Sequence, residues 1–103
     1  MTDKQIAKIL KDTGLPWSFS HFKEPTEPPF LVYIGNGQNQ FHADNTRHWH
    51  ENLYRVEYYF INKDQSKEDD IEKALLDAGL RFEKSEDSYI ETEGVFVIYY
   101  YIN

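Results

Sequence analysis

The clearest periodic signal in the chain is the alternation of residues 53–61, LYRVEYYFI. Successive residues of a strand point to opposite faces, so this stretch predicts one face without any charge and one mixed face. The mixed face carries Arg55 and Glu57 near its middle, where water could reach it. The pattern predicts a long, half-buried strand whose uncharged face packs against helices. That face consists of Tyr54, Val56, Tyr58 and Phe60.

A second run, residues 95–102 (VFVIYYYI), has no polar side at all. A strand of this kind needs cover on both of its faces. The short run 30–34 completes the centre of the predicted sheet. The two faces of the run 95–102 are Val95, Val97, Tyr99 and Tyr101 on one side, and Phe96, Ile98, Tyr100 and Ile102 on the other.

Helices can cover only one of these two faces, because a chain of 103 residues has little left for the far side. We therefore predict that Val95, Val97, Tyr99 and Tyr101 meet a neighbouring subunit. The alternative is that the loop 23–29 folds back over this face and leaves a monomer.

Two helices are predicted from capping residues and apolar stripes. Thr2 with Gln5 forms a capping box for a helix that starts at Asp3 and ends at Gly14. The sequence from Ser66 to Asp69 is a second capping box, and Gly79 ends the second helix. The predicted buried stripes are Ile6, Ile9, Leu10 and Thr13 in the first helix, and Ile71, Ala74, Leu75 and Ala78 in the second. The segments 6–20 and 71–85 also match at several positions, which favours two similar helix–glycine–strand units.

The remaining segments complete an α+β fold. The run Gly35-Asn36-Gly37 predicts a tight turn, after which residues 38–43 return as a second arm. Residues 44–52 are polar and lack a period, so they predict a loop or an irregular entry into the next strand. Together these elements predict one α+β domain over residues 1–103, with both helices on one face of a mainly antiparallel sheet. Further predicted strands are residues 17–22, 80–84 and 89–92, and the prolines of 23–29 predict a stiff loop.

Composition narrows the class of protein. The chain has no cysteine, which excludes a disulfide framework and a thiolate metal site. The N-terminus is amphipathic without an apolar signal region, and no apolar stretch approaches the ~20 residues that cross a bilayer. We expect a soluble protein that is not exported and has no membrane partner.

Charge argues against binding to a phosphate backbone. The formal net charge is −7, and residues 63–93 contain eleven acids against five bases. A protein that neutralises phosphates presents the opposite pattern. We assign these carboxylates to turns and to the exposed side of the second helix, rather than to acid–base chemistry.

The sequence contains no recognisable catalytic motif. No serine lies in a nucleophile-elbow sequence, and the glycines lack the spacing of a phosphate-binding loop. A metal site can be drawn from His48, His50 and Asp44, with His42 nearby, but such loose sets arise by chance in polar loops. We favour solvent-exposed or interface histidines, and predict no catalytic residue, no cofactor and no metal.

Several segments, in their order along the chain, resemble one family. They are SHF followed by PPFLVY, then FHADN, YRVEYYF, the turn at residues 63–64 with its acidic helix, and YIETEGVFVIYY. The chain resembles the tail completion, or head–tail joining, proteins of long-tailed bacteriophages and prophages of Gram-positive bacteria, over residues 14–101. The positions that match are Asp44, Asn45, Tyr54, Glu57, Tyr89, Ile90 and Glu91. The chain departs from the family at His48-Trp49-His50 and at Tyr99-Tyr100-Tyr101.

This resemblance implies a role without enzymatic residues. Such proteins act as tail terminators: small α+β subunits that form a ring, a hexamer by resemblance, on the finished tail tube. The ring stops tube growth and presents a surface to the head connector. The implied partners are copies of the same chain, the tail tube and the head connector, while DNA passes through without specific binding. The implied location is the head–tail junction of the virion, after assembly in the host cytoplasm.

Two other classes of function remain open at this stage. A small acidic inhibitor or regulator that mimics nucleic acid would account for the charge of −7 and the acids of residues 63–93. A histidine-based metal enzyme is the weaker alternative. Capture of a basic nuclease or repressor would favour the first, and zinc at unit occupancy would favour the second.

The charge pattern predicts that the purified protein has no affinity for duplex DNA. An acidic surface repels the phosphate backbone, so a duplex could slide past without adhering. An electrophoretic mobility assay at ordinary ionic strength checks this, with a basic DNA-binding protein as the positive control. Salt-sensitive retardation of the duplex would contradict the prediction and weaken the ring interpretation as well.

Overall fold

The computed structural model describes residues 1–43 and 47–102, and for residues 38–43 and 47–52 it describes the backbone only. Within these limits the chain is an α+β fold with two helices on one face of a six-stranded sheet. The elements are α1 (Asp3–Asp12), β1 (Trp17–Phe19), β2 (Phe30–Ala43), β3 (Arg47–Phe60), α2 (Gln65–Asp77), β4 (Phe82–Lys84), β5 (Ser88–Ile90) and β6 (Val95–Ile102).

The sheet is mainly antiparallel, as predicted. The strand order is β1-β2-β3-β6-β4, and β5 pairs with the same edge of β6 as a short neighbour of β4. Only β1 runs parallel to its partner, β2, among the described strands. The two long runs recognised in the sequence therefore lie side by side, because β3 pairs with β6 from Tyr54 opposite Ile102 to Phe60 opposite Phe96. None of the described helices is long and apolar enough to cross a membrane.

The uncharged face of β3 packs against the helices, which confirms the prediction from its alternation. All four of its predicted residues are buried in one cluster with the apolar residues of both helices, namely Ile6, Ile9, Leu10, Ile71 and Leu75, and Ala74 packs against it. The predicted stripes were too long at their ends, because Thr13 is only half-buried and Ala78 is exposed. The helices cover one face of β6, and Phe96 packs at the margin of the same cluster. The members at the centre of this core are Ile6, Leu10, Val56, Tyr58, Phe60, Ile71, Leu75, Ile98 and Tyr100.

The cap of α1 is confirmed, whereas the predicted cap of α2 is wrong. Thr2 N–H donates to Gln5 Oε1 at 2.8 Å, and Gln5 N–H donates to Thr2 Oγ1 at 3.3 Å. In α2 the cap is Asp64 instead of Ser66, since Ser66 N–H donates to Asp64 Oδ1 at 3.1 Å. Aspartate caps a helix as well as serine does, so α2 starts two residues earlier than predicted from the sequence.

The repeated helix–glycine–strand unit has the same local structure in both copies. Each unit ends in a short strand, β1 at one edge of the sheet and β4 at the other. Gly14 and Gly79 both follow the helix with positive φ, 79° and 78°, a conformation in which glycine carries no steric penalty. The pairs Ile6 with Ile71 and Leu10 with Leu75 are buried alike. Shared helix-ending chemistry is sufficient to explain this likeness.

The tight turn predicted at Gly35-Asn36-Gly37 is wrong. β2 continues through it and stays paired with β3, with a register shift between Gly35 opposite Tyr54 and Gln38 opposite Asn52. A two-residue hairpin turn of the favoured type needs positive φ at both central residues, and here only Gly37 has it, at 87°. The glycines therefore make a bulge inside a long ladder. Residues 47–52, predicted as a loop or an irregular entry into the next strand, belong to β3 itself.

The short strands differ from prediction only in length. β1 ends at Phe19 rather than at residue 22, because Ser20 has a positive φ of 65° and turns the chain. β4 and β5 cover three residues each, near the predicted segments 80–84 and 89–92.

One acid of α2 is buried, against the prediction that its carboxylates lie on the exposed side. Glu68 is fully buried, with Lys63 Nζ 2.8 Å from its Oε2 and Lys84 Nζ 2.9 Å from its Oε1. Its position follows from helical spacing, since Glu68, Ile71 and Leu75 share one face. Burial, and then the Glu68 charge, raise the pKa of Tyr58 to about 12. Lysine pairing is what allows a carboxylate to remain at this depth.

Substitution Phe60→Ala tests the helix-covered core. The ring is stacked between Tyr58 and Phe96, at centroid distances of 5.1 and 5.4 Å. Its loss should lower the free energy of unfolding by about 3 to 5 kcal/mol, measured by urea denaturation. Phe19→Ala is the matched control, because Phe19 is 56% exposed, and should lose about 1 kcal/mol or less. Equal losses for the two variants would contradict the assigned core.

Candidate subunit-contact surface

The helix-free face is the side of the sheet opposite α1 and α2. It is built from residues of β2, β3 and β6 that alternate with the core residues of the same strands. The ladder sets them in three rows across the sheet: Ile34, Arg55 and Tyr101; Val32, Glu57 and Tyr99; and Phe30, Tyr59 and Val97. Val95 continues β6 beyond the third row.

One end of the helix-free face is covered by the chain itself. The Phe22 ring lies 5.0 Å from the Phe30 ring, which in turn stacks on Tyr59 at 5.2 Å. The loop that contains Phe22 and the prolines borders a cleft of about 580 Å³ whose floor includes Val32, Tyr59 and Val95. The alternative reading of the sequence, a loop folded back over this face, therefore holds for this end.

The four residues predicted to meet a neighbouring subunit differ in how much of their surface is exposed. Val95 and Val97 are only 8% and 1% exposed in the single chain, so they offer little area to a partner. Tyr99 and Tyr101 are half-buried and remain accessible. The accessible part of the predicted interface is thus the tyrosine pair, and its contact with a second subunit stays a prediction.

The open end of the face is aromatic with one cation. The rings of Tyr99 and Tyr101 are 6.1 Å apart, and the guanidinium carbon of Arg55 lies 5.3 Å from the centre of the Tyr99 ring. Ile34 is half-buried in the same row as Arg55, and Glu83 of β4 borders Tyr101. Tyrosine and arginine are the residue types enriched where proteins contact one another.

A partly buried ion pair lies at the centre of this face, with Arg55 half-buried and Glu57 buried. Glu57 is 7% exposed and accepts hydrogen bonds from Arg55 Nε at 2.9 Å and from the Tyr59 hydroxyl at 2.7 Å. Arg55 Nη2 is 2.8 Å from the same Glu57 oxygen as Nε, so two guanidinium nitrogens converge on one carboxylate oxygen. Burial and the hydrogen bond to Glu57 raise the pKa of Tyr59 above its ordinary value of 10.0. The pair holds Arg55 in place under the Tyr99 ring.

The sequence interpretation missed this arrangement, since it expected water at the middle of the mixed face. The signal was nevertheless present: Arg55, Glu57 and Tyr59 follow at intervals of two, which places all three on one side of a strand. What the interval does not reveal is that Tyr99 lies opposite Glu57 on β6, with its ring over the Arg55 guanidinium.

The other positions that carry the family resemblance are dispersed. Tyr54 lies in the helix-covered core, where its hydroxyl donates to Asp3 Oδ1 at 2.9 Å. Tyr89 is exposed on β5, beside the half-buried Ile90. Among the described positions, Glu57 lies on the helix-free face, and Ile90, which pairs with Val95, lies on the same side of the sheet. Asp44 and Asn45 lie outside the described residues.

The metal site drawn from His48, His50 and Asp44 also falls outside what the structure describes. For the histidines the backbone alone is described, and it pairs His42 with His48 and Gln40 with His50. Among the side chains that are described, no group of three histidines or acids is placed to hold a metal ion.

Comparison with known proteins finds no match: no family model, no curated protein and no solved structure corresponds to the chain. The geometry of the helix-free face and the order of the sequence segments are therefore the observations on which a functional proposal depends.

Substitution Arg55→Met, alone and together with Glu57→Leu, tests whether Arg55 and Glu57 are energetically coupled. The single change leaves the Glu57 carboxylate with Tyr59 as its remaining side-chain donor, and should lower the free energy of unfolding by about 1 to 3 kcal/mol. Adding Glu57→Leu removes the stranded charge, so the double variant should lose less than the single one. Chemical denaturation at neutral pH measures both. A double variant less stable than Arg55→Met would contradict the pairing.

Proposed function

We propose that the chain is a non-enzymatic phage structural protein, a ring-forming tail completion or terminator subunit that caps the tail tube and joins it to the head connector. The observation that carries the proposal is the open, aromatic end of the helix-free face. The described residues form no further helix that could cover Tyr99 and Tyr101, and a second subunit would be a natural cover. The particular role in a phage tail rests on the resemblance of the ordered segments.

The chemistry of the open end suits a surface that is wet before assembly and dry afterwards. A tyrosine ring contributes apolar area, while its hydroxyl tolerates water in the free subunit. Arg55 is already held by Glu57 at 2.9 Å, so it would lose little side-chain freedom when a partner arrives. These features favour a surface that binds another subunit rather than one that catalyses a reaction.

In a ring of this kind, the acids of residues 63–93 would keep DNA from binding to the protein. The acids of residues 63–93 belong to α2, to β4, and to the turns and connections that precede and follow these elements. A surface of this sign repels the DNA backbone, which would let a duplex pass through the ring without binding.

The rival proposal, a mimic of nucleic acid, is less well supported by the same residues. A mimic needs its acids displayed at the surface, and Glu68 and Glu57 are buried. Further acids are engaged with bases of the same chain: Lys73 Nζ lies 2.6 Å from Asp77, and Lys84 Nζ lies 2.9 Å from Glu72. Internal pairing of this extent lowers the charge available to a basic partner.

Replacing both Tyr99 and Tyr101 with serine tests the proposal. Light scattering after size exclusion, over a range of concentrations, should show higher-order species for the unchanged chain and a folded monomer for the double variant. A phage that carries the variant gene should accumulate unjoined heads and tails in electron micrographs.

Tyr89→Ser is the matched control, because Tyr89 is an exposed tyrosine on β5 outside the helix-free face. It should assemble as the unchanged chain does. Unaltered assembly with both Tyr99 and Tyr101 replaced would sink the proposed interface, provided that circular dichroism finds the variants equally folded.

A further inference from the structure

The hairpin of β2 and β3 extends beyond the rest of the sheet. β1 pairs with β2 only at Leu31–Tyr33, and β6 pairs with β3 only at Tyr54–Phe60. Beyond the bulge the ladder continues with two strands alone, from Gln38 opposite Asn52 to Ala43 opposite Arg47. We call residues 38–43 and 47–52 the arm. The molecule measures 51 × 28 × 25 Å, in keeping with one long projection.

A two-stranded arm of this kind is incomplete by itself. An isolated hairpin is at best marginally stable in water, and three or more strands are generally needed for independent stability. Each outer edge of the arm presents backbone N–H and C=O groups that no other described strand pairs. Open edges are templates for another extended segment, which adds as a further strand.

A second copy of the chain is the partner that these edges fit. The two strands of the arm are antiparallel, so residues 47–52 of one copy placed beside residues 38–43 of the next would continue the same antiparallel order from copy to copy. Pairing about a two-fold axis would use one edge of each arm and leave the other open, whereas head-to-tail pairing completes both edges.

We propose that the arms of successive copies pair head to tail, with the outer edge of residues 38–43 in one copy against the outer edge of residues 47–52 in the next. In the proposed ring, this contact would join neighbouring subunits. The arm would then be a second contact surface, separate from Tyr99 and Tyr101. The inference depends on the proposed function only for the expectation that the series of copies closes.

Site-directed cross-linking tests the pairing directly, because the chain has no cysteine of its own. Asn39→Cys and Glu51→Cys are made as separate variants, distinguished by a tag, mixed, and treated with a short bis-maleimide. Each molecule then holds one thiol, so every cross-link joins two copies. Head-to-tail pairing should make the mixed 39–51 product exceed both like-with-like products several-fold.

The control is the pair Lys4→Cys and Lys11→Cys, at exposed positions of α1. It should give only the low yield of random encounters. An arm yield no higher than this control, or an excess of 39–39 and 51–51 products, would overturn the head-to-tail arm contact.

Removal of the arm provides a second measurement. Deleting residues 38–53 joins Gly37 to Tyr54 and leaves Asn36-Gly37 as a two-residue turn between Gly35 and Tyr54, which are already opposite each other. Asn-Gly is the favoured sequence for such a turn. The shortened chain should keep its circular dichroism and need at least a tenfold higher concentration to assemble. If it does not fold, the cross-linking result decides.

The two proposals fail in different ways. A full chain that stays monomeric at every concentration, with no cross-linking above the control, would overturn the ring itself. A full chain and a folded arm-deleted chain that assemble alike, while the serine variant of Tyr99 and Tyr101 does not, would overturn the arm contact and leave the proposed function standing.

Discussion

The fold depends on one mismatch: β6 is apolar on both faces, and the two helices lie on one side of the sheet. Ile98 and Tyr100 fill the helix-covered core, and this leaves Val97 and Tyr99 on the opposite side. On that side the loop that contains Phe22 lies over one end of the sheet, and the ion pair of Arg55 with Glu57 occupies its centre. The tyrosines at the other end are what remains uncovered, so the candidate interface is a consequence of the layer architecture.

Local patterns predicted the features that local physics determines. The alternation of β3 identified its core face because a two-residue period is imposed by the strand itself. The Thr2 cap and the glycine at position 14 were predictable for the same reason, since each acts on backbone groups within one helical turn. The prediction was wrong at two places where more than one local structure fits the sequence. One is the cap of α2, which is Asp64 and not Ser66, and the other is Gly35, where a bulge forms instead of a turn. The long pairing of β2 with β3 decided the second case.

The candidate surface was predictable only in part, because burial on a sheet depends on neighbouring strands. Tyr99 and Val97 lie on the same predicted face, yet the chain covers Val97 and leaves Tyr99 half-buried. Glu68 shows the same dependence on distant residues. It lies on the buried stripe of α2, and it can stay there as a carboxylate because Lys63, from the connection before α2, and Lys84, from β4, both reach it. No window of sequence around Glu68 contains that information.

Charge placement bears on the proposed contact of the helix-free face. Copies of a chain with a net charge of −7 repel one another, so contacts between them are favoured where charge is low or internally balanced. Near the open end the Glu57 carboxylate is balanced by Arg55, and Glu83 of β4 borders Tyr101 at its margin. The remaining acids lie mostly in residues 63–93, away from β2 and β3 in sequence. In the proposed ring, such a distribution would let strongly acidic subunits meet through aromatic contacts while the ring as a whole kept its negative field.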